Sequence, residues 1–224
     1  MAGIYRVYPK IKKKSFFSSL SVNTTLILIN VFLFVIFSVL LASNSNFLNY
    51  IALRPSNILQ GGYLWTFLTS MFMHGGIFHL FVNMLSLFFV GGLMEKLLGH
   101  KRYLWFYLIS GLFAGLFFVL SSFIFAADMN AYAVGASGAL FGVIGLLMIL
   151  TPNLPVYLFF IPIPIKMKYA APGILILLWF ISVAADVGIG NTAHLGGLLV
   201  GVVYGIYLRK RYKKKTKYIS KHFS

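Results

Sequence analysis

The chain has no cysteine, and it has only three carboxylates against 19 lysines and arginines, with 10% charged residues in 224. Without thiols there is no disulfide, iron–sulfur cluster or zinc–thiolate site, and cysteine usage says nothing about redox compartment. The carboxylates Glu95, Asp128 and Asp186 are far apart in sequence. An aspartyl mechanism needs two carboxyls buried together, and a zincin needs His-Glu-x-x-His; the chain offers neither pattern. What fills the chain instead is apolar, 60% hydrophobic and 17% aromatic. A soluble domain is about 45–50% apolar and about 25% charged, so the composition is that of a membrane protein.

Six apolar runs approach the roughly 20 residues that a membrane-spanning helix needs: Thr25–Ala42, Gly76–Leu97, Tyr103–Phe125, Gly135–Leu150, Ala170–Ala185 and Thr192–Leu208. The first follows Arg6, Lys10, Lys12, Lys13 and Lys14, as a signal peptide would. It is longer than the about 7–15 residues of a signal h-region, which favours a retained span. Residues 43–73, interrupted by Arg54, Pro55, Gly61 and Gly62, predict a long, partly membrane-embedded first loop. Pro152, Pro155, Pro162 and Pro164 break residues 151–168 into a loop, since each removes a backbone donor. The expected fold is an all-α membrane bundle of six spans over residues 22–209, between basic tails at 1–21 and 210–224.

An even number of spans puts both tails on one side, and charge placement agrees. Of the 19 lysines and arginines, 18 fall in the tails or in the loops after the second and fourth spans, and Arg54 is the exception. Such asymmetry marks the cytoplasmic face. The net charge of +16 is therefore topogenic, and the tails are expected to meet anionic lipid, with no nucleic-acid partner. No internal repeat of the kind common in transporters is visible.

Polar groups at membrane depth are costly and tend to be functional or tightly satisfied. His74, His79 and Asn83 open the second span, Ser137 the fourth and His194 the sixth. These three spans run in the same direction, so their starts share a level near the outer surface and one pocket can hold all five residues. Ser137 lies in Gly135-Ala136-Ser137-Gly138, where a helix start offers free N–H groups to a developing oxyanion. Ala193, Gly197, Gly201 and Gly205 form a small-residue face on the sixth span, and Gly138 and Gly142 have the same spacing on the fourth. Contact between these faces would bring His194 to Ser137 as the base that a serine nucleophile needs. His79 and Asn83, four residues apart on one helix face, suit an oxyanion hole or, equally, an interhelical polar clamp. His74, before Gly75-Gly76, reads as structural. No carboxylate is placed to orient His194, which favours a Ser-His dyad over a triad.

With these motifs in order, His74-x4-His79-x3-Asn83, Gly135-x-Ser137-Gly138 and Ala193-His194-x2-Gly197-x3-Gly201, the chain resembles the rhomboid intramembrane serine proteases over about residues 22–209. The run Gly91-Gly92-x-x-Glu95-Lys96-x-Leu98-Gly99 is similar to that family's second span entering its inner loop. The resemblance implies Ser137 as nucleophile, His194 as general base, His79, Asn83 and the Ser137 N–H as oxyanion hole, and Phe141 stacked on His194. It implies a partly embedded first loop, a gate formed by the fifth span with the loop at Gly188 and Gly190, and no cofactor or metal. The implied reaction is hydrolysis of peptide bonds in or beside the transmembrane segments of other proteins. Trp65-Thr66 departs from the family's frequent Trp-Arg in the first loop.

Two other functions compete. One is a non-catalytic rhomboid-like protein that binds transmembrane helices, for which Ser137 and His194 would be needless. The other is a transporter or channel using His74, His79 and His194 as a proton path or weak metal site. The expected location is a multi-pass place in a prokaryotic plasma membrane, with both termini cytoplasmic. Substrate, cut site and oligomeric state are not encoded in any motif.

Overall fold

A computed structural model describes residues 20–157 and 162–223. All but the last two residues of the expected N-terminal tail lie outside them. The long helices are α1 (Val22–Ser43), α2 (Ile77–Leu98), α3 (His100–Ser121), α4 (Ser137–Leu150), α5 (Met167–Ala184) and α6 (Asn191–Arg211), followed by α7 (Lys213–His222). Among the described residues, five helices are long and apolar enough to cross a membrane, and α4, with 14 residues, is shorter. The outward faces are strongly apolar: Phe32, Ile77, Phe78 and Val183 are all well exposed. Such a surface is stable only in lipid, and the chain is a multi-pass membrane protein with a helical bundle fold.

The bundle's centre is the packing of α6 on α4, with α3 against both. Lipid gives no hydrophobic drive between helices, so close backbone approach must supply the attraction. A Cβ at Gly197 would strike the Gly138 carbonyl, and one at Gly201 the Gly142 carbonyl. The two small-residue faces expected from the sequence do meet.

The ends of α1 and α2 are tied by polar contacts that the sequence did not announce. Glu95, on α2, accepts from the backbone N–H of Val22 at 2.7 Å and of Asn23 at 3.0 Å, placing a carboxylate on the N-terminus of α1. Within α2, residues Leu87–Gly91 form a π-helical turn. The Leu87 carbonyl accepts from the Asn23 amide at 2.8 Å, and Tyr103 donates to Asn23 Oδ1 at 2.7 Å. Gly91 lies directly under this pair; a Cβ there would collide with both side chains.

The first loop folds into short helices, Leu48–Ile51, Pro55–Leu59 and Thr66–Thr69 among them. It is pinned to the segment that precedes α4. Leu53 and Ala133 form an antiparallel bridge, with N–H···O distances of 3.1 and 2.8 Å. Arg54 donates to Asn130 Oδ1 at 3.0 Å and to the Tyr132 hydroxyl at 3.4 Å, and lies over the Tyr132 ring. The one arginine that breaks the charge asymmetry is thus bound into a network between two loops. The loop is anchored without an arginine at position 66: Trp65 Nε1 donates to the Tyr50 carbonyl at 2.9 Å, and buried Thr66 to the Tyr63 carbonyl at 2.7 Å.

Two segments differ from the sequence expectation. The proline-rich loop contains a short antiparallel pair, β1 (Pro155–Val156) with β2 (Ile165–Lys166). The segment expected as a tail at 210–224 contains helix α7.

Candidate active site

Three helix starts supply the site. α4 begins at Ser137 itself, with Ala136 before it and no side-chain cap, so its first N–H groups are open to a ligand. Gly135 has φ +110°, a conformation that L side chains rarely adopt, and donates its N–H to the Ser70 carbonyl at 2.8 Å. This turn sets the entry of the chain into α4. From α6, in its first turn, comes His194, which is 6% exposed. Its Nε2 lies 2.7 Å from Ser137 Oγ. The glycine contacts between α4 and α6 set that distance, because residues this close to a backbone-on-backbone crossing have little room to shift.

Phe141, one turn after Ser137, stacks on the His194 ring with centroids 4.5 Å apart and planes at 19°. The stack fixes the imidazole plane and leaves Nε2 directed at the hydroxyl. His194 Nδ1 is buried with no hydrogen-bond partner among the described residues. Among the described residues no third group orients the ring through that atom.

His79, in the first turn of α2, lies against Gly135: a Cβ on that glycine would fall 2.8 Å from His79 Nε2. His79 is thus beside the turn that leads into Ser137. Its Nδ1 faces the Gly75 N–H at 3.4 Å, and its ring meets that of His74 edge-on with centroids 5.2 Å apart. His74 is buried, and neither ring nitrogen has a partner among the described residues. Asn83 is buried one turn below His79, but its amide donates to the His79 carbonyl at 2.8 Å. The structure therefore brings Ser137, His194, Phe141 and His79 together, while the Asn83 amide is turned into its own helix.

One neighbour of the site was not picked out from sequence. Thr192, on the first turn of α6, donates to Asp128 Oδ2 at 3.1 Å. Burial raises the Asp128 carboxyl above its ordinary value, and the Thr192 hydrogen bond opposes that shift. Asp128 makes no hydrogen bond to His194 in the structure, so it braces the helix that carries the base and does not complete a triad. Its only sequence signal was its place in a short outer loop.

Among the described residues, five apolar helices and a shorter sixth surround a part-buried serine–histidine contact, which defines a polytopic helical membrane protein. The family model for the rhomboid domain matches residues 61–211, and the chain belongs to the rhomboid family. It is 37% identical over 159 residues to RHOMBOID-like protein 1 of Arabidopsis thaliana, covering 69% of this chain and 37% of that protein. It is 31% identical over 154 residues to Rhomboid protein 1, mitochondrial, of Saccharomyces cerevisiae, covering 65% and 42%. It is 32% identical over 161 residues to Rhomboid protease GluP of Bacillus subtilis, covering 71% and 29%. The chain spans less than half the length of each of these curated relatives.

Proposed function

We propose that the chain is an intramembrane serine endopeptidase that hydrolyses peptide bonds in or next to the transmembrane segments of other proteins. The observation that carries this is the 2.7 Å contact between Ser137 Oγ and a buried His194. A serine hydroxyl is a weak nucleophile until a base within hydrogen-bond reach takes its proton, and His194 Nε2 is at that reach.

In the first step Ser137 Oγ attacks the scissile carbonyl carbon as its proton passes to His194 Nε2. The carbonyl oxygen becomes an oxyanion beside the N-terminus of α4, where the Ser137 N–H and the positive end of the helix favour negative charge. His79 supplies a second donor from α2. Asn83 supplies a third once its amide leaves the His79 carbonyl and turns toward the site. The tetrahedral species collapses as His194 returns the proton to the leaving amine, giving an acyl-enzyme. A water, deprotonated by His194, then releases the acid and regenerates Ser137. The Phe141 stack keeps the imidazole in register through both steps.

A helical substrate hides its own carbonyls in backbone hydrogen bonds, so the segments cut carry glycine, proline or other helix-weakening residues near a small residue. Entry is from the side of α5 and the 185–190 loop, with six spans and both termini on the cytoplasmic face. Support for this entry side comes from α5, where Leu175 is the last buried residue and Ile176, Phe180 and Val183 face outward.

The test is cleavage of a model transmembrane substrate with a glycine-containing helix, co-reconstituted with the full chain in proteoliposomes. The wild type yields two fragments, and Ser137→Ala yields none. No fragment from a folded wild type on any helix-weakened substrate would favour a rhomboid-like protein that binds helices without cutting them.

A further inference from the structure

Helix α7 begins two residues after α6 ends, with Tyr212 as the elbow. Thr216 holds the corner: it is 8% exposed, its N–H donates to the Tyr212 carbonyl at 3.0 Å, and its hydroxyl donates there at 3.1 Å and to the Lys213 carbonyl at 3.2 Å. A helix joined so closely to a membrane-spanning helix stays at the membrane surface.

The two sides of α7 differ. Thr216, Ile219, Ser220 and Phe223, at i, i+3, i+4 and i+7, form its covered side. α7 contacts α4, and Phe223 shares a cleft with Leu154 and Pro164 of the inner loop. Lys214, Lys217, Tyr218 and Lys221, at the same spacing on the other side, are all exposed, Tyr218 at 73%. At the elbow, Lys210, Arg211, Tyr212, Lys213, Lys214 and Lys215 form one continuous exposed surface. Five of those six residues are cationic, and α7 itself has no acidic residue.

We propose that α7 is an interfacial docking helix for anionic phospholipid. Its covered side is fixed on the bundle, its basic side and Tyr218 lie at headgroup level, and the basic elbow meets lipid phosphates. Charge favours this occupant because the lysines face outward with no carboxylate among them, and an anionic bilayer surface attracts such a cluster. Continuity with α6 favours it over a soluble acidic partner, because the elbow keeps the basic side within reach of the leaflet that α6 has just left.

The absence of native cysteine makes a single label possible. Tyr218→Cys carries a polarity-sensitive fluorophore, and the full chain is placed in nanodiscs of phosphatidylcholine with or without phosphatidylglycerol. Phosphatidylglycerol is expected to shift the emission to the blue and to protect the label from an aqueous quencher, with the effect reduced by high salt. Lys214→Gln, Lys217→Gln and Lys221→Gln together should weaken that response on the order of a hundredfold in apparent lipid affinity. Circular dichroism of the triple variant checks that α7 stays helical. Identical emission in the two bilayers would overturn the proposal, as would an undiminished response in a triple variant of unchanged helicity. The readout does not require proteolysis, so it stands or fails apart from the proposed enzyme activity.

Discussion

Two of the neighbours of α4, the helices α6 and α5, hold it in different ways. α6 meets it backbone to backbone at Gly197 and Gly201, where even one added carbon would collide with a carbonyl oxygen. α5 is buried only along its first half: Met167, Ala170, Ala171 and Leu175 are buried, and no later residue of that helix is. The difference separates two tasks. The α4–α6 side has little slack and holds Ser137 beside His194, whereas the second half of α5 has fewer buried contacts. Local stability follows buried contacts, so the second half of α5 is held less firmly than the α4–α6 seam.

The largest expected effect lies on the rigid side. Ser137→Ala and His194→Ala should each reduce turnover by about four to six orders of magnitude while leaving the helical content and unfolding temperature near those of wild type. A variant that loses activity only because it unfolds would not bear on the chemistry, so both measurements are needed.

Next is Gly201→Val, which forces a branched side chain into the Gly142 carbonyl. Overpacking of a tight core costs about 1–3 kcal/mol or more, and here it also separates His194 from Ser137. Thermal unfolding and substrate cleavage should both decline. The matched change on the loose side, Val183→Ala, should alter stability by no more than about 0.5 kcal/mol. Equal destabilisation by the two would erase the contrast.

Smaller again is Asn83→Ala. The Ser137 N–H and His79 remain as donors, so the loss in turnover should fall below the about 10²–10³-fold of an oxyanion hole's principal donor. Complete loss in a normally folded variant would mean that Asn83 has another role.

The smallest effect concerns Asp128. Its folded-state carboxyl titrates above the ordinary value, so the folded chain holds that proton more tightly than the unfolded one. Stability from this group is present in acid and declines as pH rises through its folded value. Asp128→Asn, which mimics the protonated form, should match wild type in acid and equal or exceed it at neutral pH in thermal unfolding. A wild type that gains on the variant as pH rises would reverse the sign.

The apolar helices and the meeting of Ser137 with His194 were legible in the sequence because each leaves a local mark. Apolar runs end at charge, glycine or proline, and Gly197, Gly201 and Gly205 recur at the spacing of one helix face. What the sequence hid were contacts between distant segments without periodicity. The Leu53–Ala133 bridge joins residues 80 apart, and Arg54 looked only like an exception to charge asymmetry until Asn130 and Tyr132 were beside it. Asn23 precedes the first apolar run without a mark of its own, and its partner, the Leu87 carbonyl, belongs to a π-helical turn that no residue pattern announces. The proline count masked β1 and β2, since a two-residue ladder needs few donors. In α7 the density of lysine suggested only a basic tail facing anionic lipid, whereas the apolar and hydroxyl residues between the lysines define the covered side.

The central claim is that Ser137 is activated by His194 inside the bundle. The most direct measurement is labelling of detergent-solubilised wild type, Ser137→Ala and His194→Ala with a fluorescent fluorophosphonate. Labelling of the wild type alone is the predicted result. A well-folded wild type that takes no label, or a Ser137→Ala variant that takes as much, would contradict it.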